Sequence, residues 1–388
     1  MDRVHSRCVH LKRRGLFESA ELGEGGKIWI VVAFAVFTYK SLFNPAYRGV
    51  GEQILAQVKQ DLDLSSVAAM GAVNTLRWIV GYFVAHNTLS QPILFGMLGV
   101  SVGLEAVFYA YPMNGFTGAI FRYLSITQLM KLISYLFVTR ESALMGWDDV
   151  KIEEPTRTPS LARFIAYPTL CYQLKFPTTT KVNFRRMLLY TLMLVPLATL
   201  SFFSLQMQSG KLARQMLKTP SFGNYVDLVV WTNVGWLSGF GFVFIAVYGI
   251  QSELTRFGDQ TFFGSWWDST IPEYWRKWNT QVHVWVKRHI YIALLKRNIT
   301  KKSSKLMIFL VSGLVHEYII SNAIGRKGVG ILTMSMQVPL DYITKFIEKK
   351  TRIDAKLPSM VILNLIGAPL VAMASQWYWR PVLGHGAV

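Results

Sequence analysis

The stretch VSGLVHEYII, residues 311–320, sets His316 beside Glu317 in a run that is otherwise nearly all apolar. Placing a charge at the centre of a bilayer-spanning helix costs at least ~2.5–3.5 kcal/mol, so ionisable side chains at that depth line a cavity or have partners. A neutral imidazole avoids most of that cost and keeps one ring nitrogen able to accept a proton, the state required of a general base acting on a hydroxyl. Neighbouring helical residues point about 100° apart, so Glu317 cannot face the way His316 does and is expected to act as a support. Ser312, one turn earlier, shares the His316 face and is within reach of the ring or of a substrate. The plainer reading is a histidine that only hydrogen-bonds between helices. HEYII lacks the second histidine of HExxH, and there is no convincing G-x-S-x-G elbow or P-loop, which argues against a zinc protease, a serine hydrolase and an NTPase. No metal site is expected.

A second set of polar groups lies upstream in FGDQTFFGSWWDSTIPEYWRKWNTQVHVWVKRHIY, residues 257–291. Asn279 and His283 are four residues apart and share one helical face. Trp266, Trp267, Trp275 and Trp278 give a density of indoles typical of the membrane–water boundary, and packing there is the simpler role for them. From Arg276 to Lys305 the chain carries Arg276, Lys277, Lys287, Arg288, Lys296, Arg297, Lys301, Lys302 and Lys305 with no acid between them. Such a surface suits a polyanion, either anionic lipid or the phosphates of a soluble co-substrate.

The elements that must position these groups follow from composition. With 52% hydrophobic and only 16% charged residues, a soluble chain of 388 residues could not cover its surface, so the expected solvent is a bilayer and the expected class an all-α polytopic membrane protein. Runs of about 20 apolar residues predict spans near 28–44, 66–86, 92–112, 117–139, 187–207, 227–250, 306–324, 329–346 and 358–379, about nine in all. Residues 1–27 read as a cytosolic tail, placed there by Arg3, Arg7, Lys12, Arg13 and Arg14. The first apolar run follows a polar lead containing Glu18, Glu21 and Glu24, so no cleavable signal peptide is expected. Cytosolic or interfacial segments are predicted near 140–186, which is interrupted by Pro155, Pro159, Pro168 and Pro177, and near 251–305. Cys8 and Cys171 cannot form a disulfide framework. The net charge of +19 fits loops facing anionic lipid, and no nucleic-acid module accompanies it, so no nucleic-acid partner is expected. No internal repeat points to the symmetric halves of a transporter.

The buried histidine of SGLVHEY, preceded by EYWRKWNTQVHVWVKRHIY, resembles the membrane-bound O-acyltransferase superfamily. MKLISY at 130–135, YPTLCYQLKFP at 167–177 and TMSMQVPL at 333–340 look like family signatures in the same order, and the resemblance runs from about residue 120 to the C-terminus. PTLCYQ and VKRHIY point to the acyl-CoA:diacylglycerol acyltransferases of the branch related to sterol acyltransferases.

The resemblance implies a membrane-bound O-acyltransferase domain over 28–388, with an intramembrane reaction chamber. It also implies a multi-pass protein of the endoplasmic reticulum and a homodimer. His316 would deprotonate the acceptor hydroxyl and Asn279 would hydrogen-bond the thioester carbonyl or oxyanion, with Glu317, His283 and Ser312 in support. Arg276, Lys277, Lys287, Arg288, Trp266, Trp267 and Gln337 would contact acyl-CoA, the co-substrate, with no further cofactor. The acceptor implied is diacylglycerol. A sterol or a long-chain alcohol would use the same histidine, and a lipid or ion transporter using His316 and Glu317 as a proton relay is the rival of a different class.

Two departures bear on selectivity. The family's aromatic motif reads Phe-Tyr-x-Asp-Trp-Trp-Asn, and here FFGSWWD has Phe263, Ser265 and Asp268 at the Tyr, Asp and Asn positions. IGAP carries Ala368 where the diacylglycerol branch has glutamine.

Overall fold

The computed structural model describes residues 64–87, 90–110, 115–145, 156–157, 160–321 and 327–377, with positions 52, 56 and 59. The predicted span near 28–44, the tail 1–27 and Cys8 lie outside the described residues.

Helices α1 (Leu64–Asn87), α2 (Gln91–Ala110) and α3 (Gly115–Met145) come first. A short helix, α4 (Leu161–Ala166), leads to a minimal antiparallel pairing of Thr156–Arg157 with Phe176–Pro177. Two long helices follow, α5 (Phe184–Lys218) and α6 (Phe222–Thr255), each with a π-helical turn inside it, at Phe203–Ser209 and Gly241–Val247. The short helices α7 (Ile271–Lys277) and α8 (Thr280–Val286) precede α9 (Lys301–His316), α10 (Val329–Thr351) and α11 (Lys356–Met373).

The helix starts are written locally. Ser160, Asn183, Ser221, Asn279 and Thr300 each accept a hydrogen bond from the backbone N–H three residues on, satisfying a donor that the first turn leaves open. Thr270 and Glu273 form a capping box at α7.

Among the described residues, six helices are long and apolar enough to cross a membrane: within α1 and α2, then α5, α6, α9 extended to Ile320, and α11. Their outward faces carry Leu76, Phe83, Leu192, Val195, Leu310 and Leu314, all exposed, as lipid-facing side chains are. The predicted spans 117–139 and 329–346 are also helical, in α3 and α10, but more polar. In α3 the polar residues Arg122, Ser125, Lys131 and Ser134 are buried and make hydrogen bonds inside the protein. In α10 the charges collect in the second half, from Asp341 to Lys350.

The core is aromatic. Trp78, Tyr135, Phe164, Tyr167, Tyr172, Phe176, Tyr190, Phe240, Phe244, Phe257, Phe262, Phe263, Trp266 and Tyr274 form one buried cluster. The two polar breaks of the sequence therefore contribute much of the interior. Residues 160–177 thread Phe164, Tyr167, Tyr172 and Phe176 into it, and 257–274 add Phe262, Phe263 and Trp266. Aromatic density that the sequence assigns to the membrane boundary here fills the space between helices, where flat rings pack edge to face.

Candidate active site

His316 is the last residue of α9 before a π-helical turn, Glu317–Ser321. Its Nδ1 lies 2.8 Å from the carbonyl oxygen of Ser312, and the Ser312 hydroxyl is 3.5 Å away. A carbonyl can only accept, so Nδ1 carries the proton and Nε2 is left with its lone pair. Ser312 therefore meets the ring chiefly through its backbone carbonyl. The indole of Trp275, from α7, stands edge-on to the imidazole with ring centroids 6.1 Å apart at 89°. The Trp275 Nε1–H is buried without a hydrogen-bond acceptor among the described residues.

Glu317 is buried, and its carboxylate faces away from the imidazole. It accepts from Tyr109 of α2 (3.0 Å) and from the backbone N–H groups of Gly328, Gly330 (2.9 Å) and Ile331 (3.3 Å) at the start of α10. A carboxylate on the open N–H groups of a helix start is a favourable placement, and it ties the end of α9 to α10. Gly330 makes that approach possible, because a Cβ there would overlap the backbone of His316 and Glu317.

Asn279 is buried and caps α8, its Oδ1 accepting from Val282 N at 3.1 Å. The amide nitrogen of the same side chain keeps its two N–H donors for another partner. Asn279 follows Trp275 by four residues, on the segment whose indole meets His316. His283 is half-buried on the next turn. Burial, and then the cations of Lys287 and Arg276, hold its titration below the usual histidine range, so it is neutral at pH 7. The FFGSWWD segment is fixed to this region by hydrogen bonds from Gly264 N to Lys277 O (2.7 Å) and from Thr280 N to Phe262 O (3.0 Å).

The positions expected to meet acyl-CoA divide into two groups. Arg276 and Lys287 are exposed, Lys277 is half-buried with its ammonium donating to Ser269 Oγ (3.1 Å), and Trp267 is half-buried. By contrast, Arg288 is 4% exposed and donates to the Tyr172 carbonyl (3.3 Å), and Trp266 is 1% exposed, stacked on Trp267 at 3.6 Å within the aromatic core. The basic surface read as uninterrupted is broken at Arg288, whose guanidinium serves the interior. Gln337 donates through Nε2 to Thr333 O (3.3 Å), while its Oε1 is buried without a donor among the described residues. Two cavities, about 500 Å³ beside Trp78 and Gln128 and about 310 Å³ between Phe137, His289 and Arg297, open at other places. Among the described residues no group of three or more His, Cys, Asp or Glu is placed to hold a metal.

Motifs far apart in sequence close on one another. Ser134 Oγ accepts from Tyr172 N at 2.8 Å and lies 2.8 Å from His289 Nε2. Trp285 Nε1 donates to Met130 O (2.8 Å), and Thr169 Oγ1 donates to Gln281 Oε1 (2.9 Å). The Lys131 ammonium donates to the carbonyls of Phe164, Ile165 and Tyr167 at 3.2, 2.7 and 2.6 Å, capping the end of α4. Sequence reasoning quoted these motifs without giving their polar side chains a role, and it passed over Arg77 and Glu105, although a charge inside each of two predicted spans is the same signal that singled out His316.

Residues 225–349, which hold His316, Asn279 and Gln337, match the model of MBOAT, the membrane-bound O-acyltransferase family. The part of the chain that carries the candidate site is thus similar to the membrane-bound O-acyltransferases. Among curated proteins the chain is similar to diacylglycerol O-acyltransferase 1C of Glycine max, 32% identical over 223 residues, which is 54% of this chain and 43% of that protein. It is similar to diacylglycerol O-acyltransferase 1B of Glycine max, 29% identical over 315 residues, 75% of this chain and 60% of that protein. With diacylglycerol O-acyltransferase 1 of Homo sapiens it shares 31% identity over 186 residues, 46% of this chain and 38% of that protein. The chain thus spans about half the length of the curated relatives it matches.

Proposed function

We propose that this protein is an acyl-CoA-dependent O-acyltransferase that converts diacylglycerol to triacylglycerol within the membrane, with His316 as general base. One observation carries the reading: in the stretch that matches the membrane-bound O-acyltransferases, the imidazole of His316 on the apolar helix α9 has its Nδ1–H committed to Ser312 O, which leaves Nε2 as a proton acceptor. Nε2 takes the proton of the acceptor hydroxyl, and the oxygen attacks the thioester carbonyl. A C–O bond forms, the C–S bond breaks, and the proton passes to the departing thiolate, so that free CoA leaves and the imidazole returns to neutral. The Asn279 N–H donors serve the oxyanion; removing one such donor typically costs ~3 kcal/mol of barrier.

Both lipids can arrive from the bilayer. Arg276, Lys277 and Lys287, with Trp267, are assigned to the CoA phosphates at the cytosolic mouth, where charge-assisted contacts favour phosphate. The location proposed is the endoplasmic reticulum membrane, the assembly a homodimer, and the reaction chamber a space beside His316. Diacylglycerol is chosen as acceptor because the relatives' names specify it and PTLCYQ and VKRHIY look like that branch.

The test is purified full chain with labelled oleoyl-CoA and a panel of diacylglycerol, sterol and fatty alcohol, with products separated by chromatography. Triacylglycerol should dominate, with one free thiol per ester. A dominant steryl ester or wax ester would replace the acceptor, and movement of lipid or ions with no thiol released would replace the enzyme with a transporter.

A further inference from the structure

Arg77 of α1 and Glu105 of α2 form a buried ion pair, each 5% exposed, in the middle of two predicted spans. Glu105 Oε1 takes the Arg77 Nη1 donor and the Ser125 hydroxyl (2.8 Å), while Arg77 Nη2 donates to Ser101 O (2.9 Å) and Nη1 also reaches Asn74 Oδ1 (3.2 Å). The other oxygen, Oε2, receives the hydroxyl of Tyr318. Tyr318 stands two residues after His316, inside the π-helical turn Glu317–Ser321. Its neighbour Glu317 accepts from Tyr109, which follows Glu105 by four residues and so lies one turn further along the same face of α2. Two consecutive side chains after the base are thus anchored, one turn apart, on a helix distant in sequence.

This arrangement has a mechanical meaning. A π turn inserts one residue and breaks the regular backbone ladder, and it persists when its side chains find better partners than a straight helix would give them. Here those partners are Tyr109 and Glu105. Arg77 fixes the Glu105 carboxylate through a charged contact, and burial makes that contact intolerant of losing either partner. The rigid sequence Arg77, Glu105, Tyr318 ends on the turn that begins where the imidazole of His316 leaves its helix.

We infer that Glu105 is a positioning residue for His316: held by Arg77, it grips Tyr318 and so sets the π turn that aims the imidazole. The inference rests on His316 being the base, and it names a residue that no family motif quoted above contains. A misplacement of about 1 Å at a reacting group can cost about 100-fold in rate, so loosening this strut acts on turnover rather than on binding.

The experiment compares two double variants of the full chain in lipid nanodiscs, Arg77→Met with Glu105→Gln and Arg77→Met with Glu105→Met, beside Tyr318→Phe. Both double variants remove the ion pair without leaving a buried charge, and only the first keeps an acceptor for Tyr318. Two readouts are taken: kcat and KM for oleoyl-CoA, and the rate of carbethoxylation at His316 by peptide mass spectrometry, with His283 as the internal reference. Tyr318→Phe and the Met/Met variant should lose about ten-fold or more in kcat with KM changed by less than about two-fold, and the Met/Gln variant should retain about ten-fold more turnover than Met/Met. The His316 to His283 labelling ratio should differ between Met/Gln and Met/Met in the same order. Equal turnover and equal labelling in the two double variants would overturn the inference, as would labelling of both histidines rising together, the mark of general loosening. If the wild type forms no ester, acyl transfer by His316 fails, and the labelling ratio alone decides whether Glu105 positions the ring.

Discussion

At the level of single residues, the proposed chemistry depends on which nitrogen of the His316 imidazole is free. The Ser312 carbonyl settles that for His316, and it does so through the backbone, so the serine hydroxyl contributes less than its place on the helix face implies. Asn279 commits Oδ1 to the start of α8, and the proposed mechanism assigns its Nδ2 donors to a substrate oxygen. Sequence spacing put His283 on the same face as Asn279; in the structure Asn279 is the N-cap of α8 and His283 lies inside it, kept neutral by burial first and then by the cations Lys287 and Arg276. The sign of the resulting pH effect follows. A histidine whose titration is depressed by folding favours the folded state above its unfolded pKa, near 6.5, and loses that contribution as pH falls towards the lower folded value. The melting temperature of the wild type in detergent should therefore drop more between pH 7.5 and pH 5.5 than that of His283→Gln. Parallel curves for the two proteins would deny His283 a buried neutral state.

At the scale of the element, the junction of α9 and α10 bears the most on the site. Glu317 on the N–H groups of Gly328, Gly330 and Ile331 is possible only because residue 330 has no side chain. Gly330→Ala should push α10 from the end of α9, at a cost of about 1–3 kcal/mol, and lower turnover with it. Thermal unfolding and activity measured on the same preparation check this, and an alanine variant as stable and active as wild type would mean that the two helices do not touch there. This junction was only half legible in the sequence. That Glu317 would point away from His316 follows from helical geometry alone, whereas its partners lie on α2 and at the start of α10, and a contact through space leaves no local signature. The π turns were not legible either, since an apolar run reads the same whether its backbone closes on the fourth or the fifth residue.

At the scale of the whole molecule, the spans were the most legible feature, because the bilayer imposes a one-dimensional rule of length and apolarity. Runs near 66–86, 92–112, 187–207, 227–250, 306–324 and 358–379 correspond to helices able to cross a membrane. The rule says less about α3 and α10, which turn polar faces inward, and nothing about how the breaks at 160–177 and 257–274 would supply an aromatic core. The basic stretch was legible as charge but not as surface, since Arg288 spends its guanidinium on Tyr172 while Arg276 and Lys287 stay exposed. Motif order pointed to the membrane-bound O-acyltransferases, and the family match over 225–349 agrees with it. The role of His316 is tested most directly by release of free CoA thiol from oleoyl-CoA in the presence of diacylglycerol, for wild type and His316→Ala prepared side by side. The account predicts one thiol per triacylglycerol for the wild type and a loss of about 1,000-fold or more for the variant, with its melting temperature close to wild type. A folded alanine variant that still releases thiol and forms ester at the wild-type rate would contradict it.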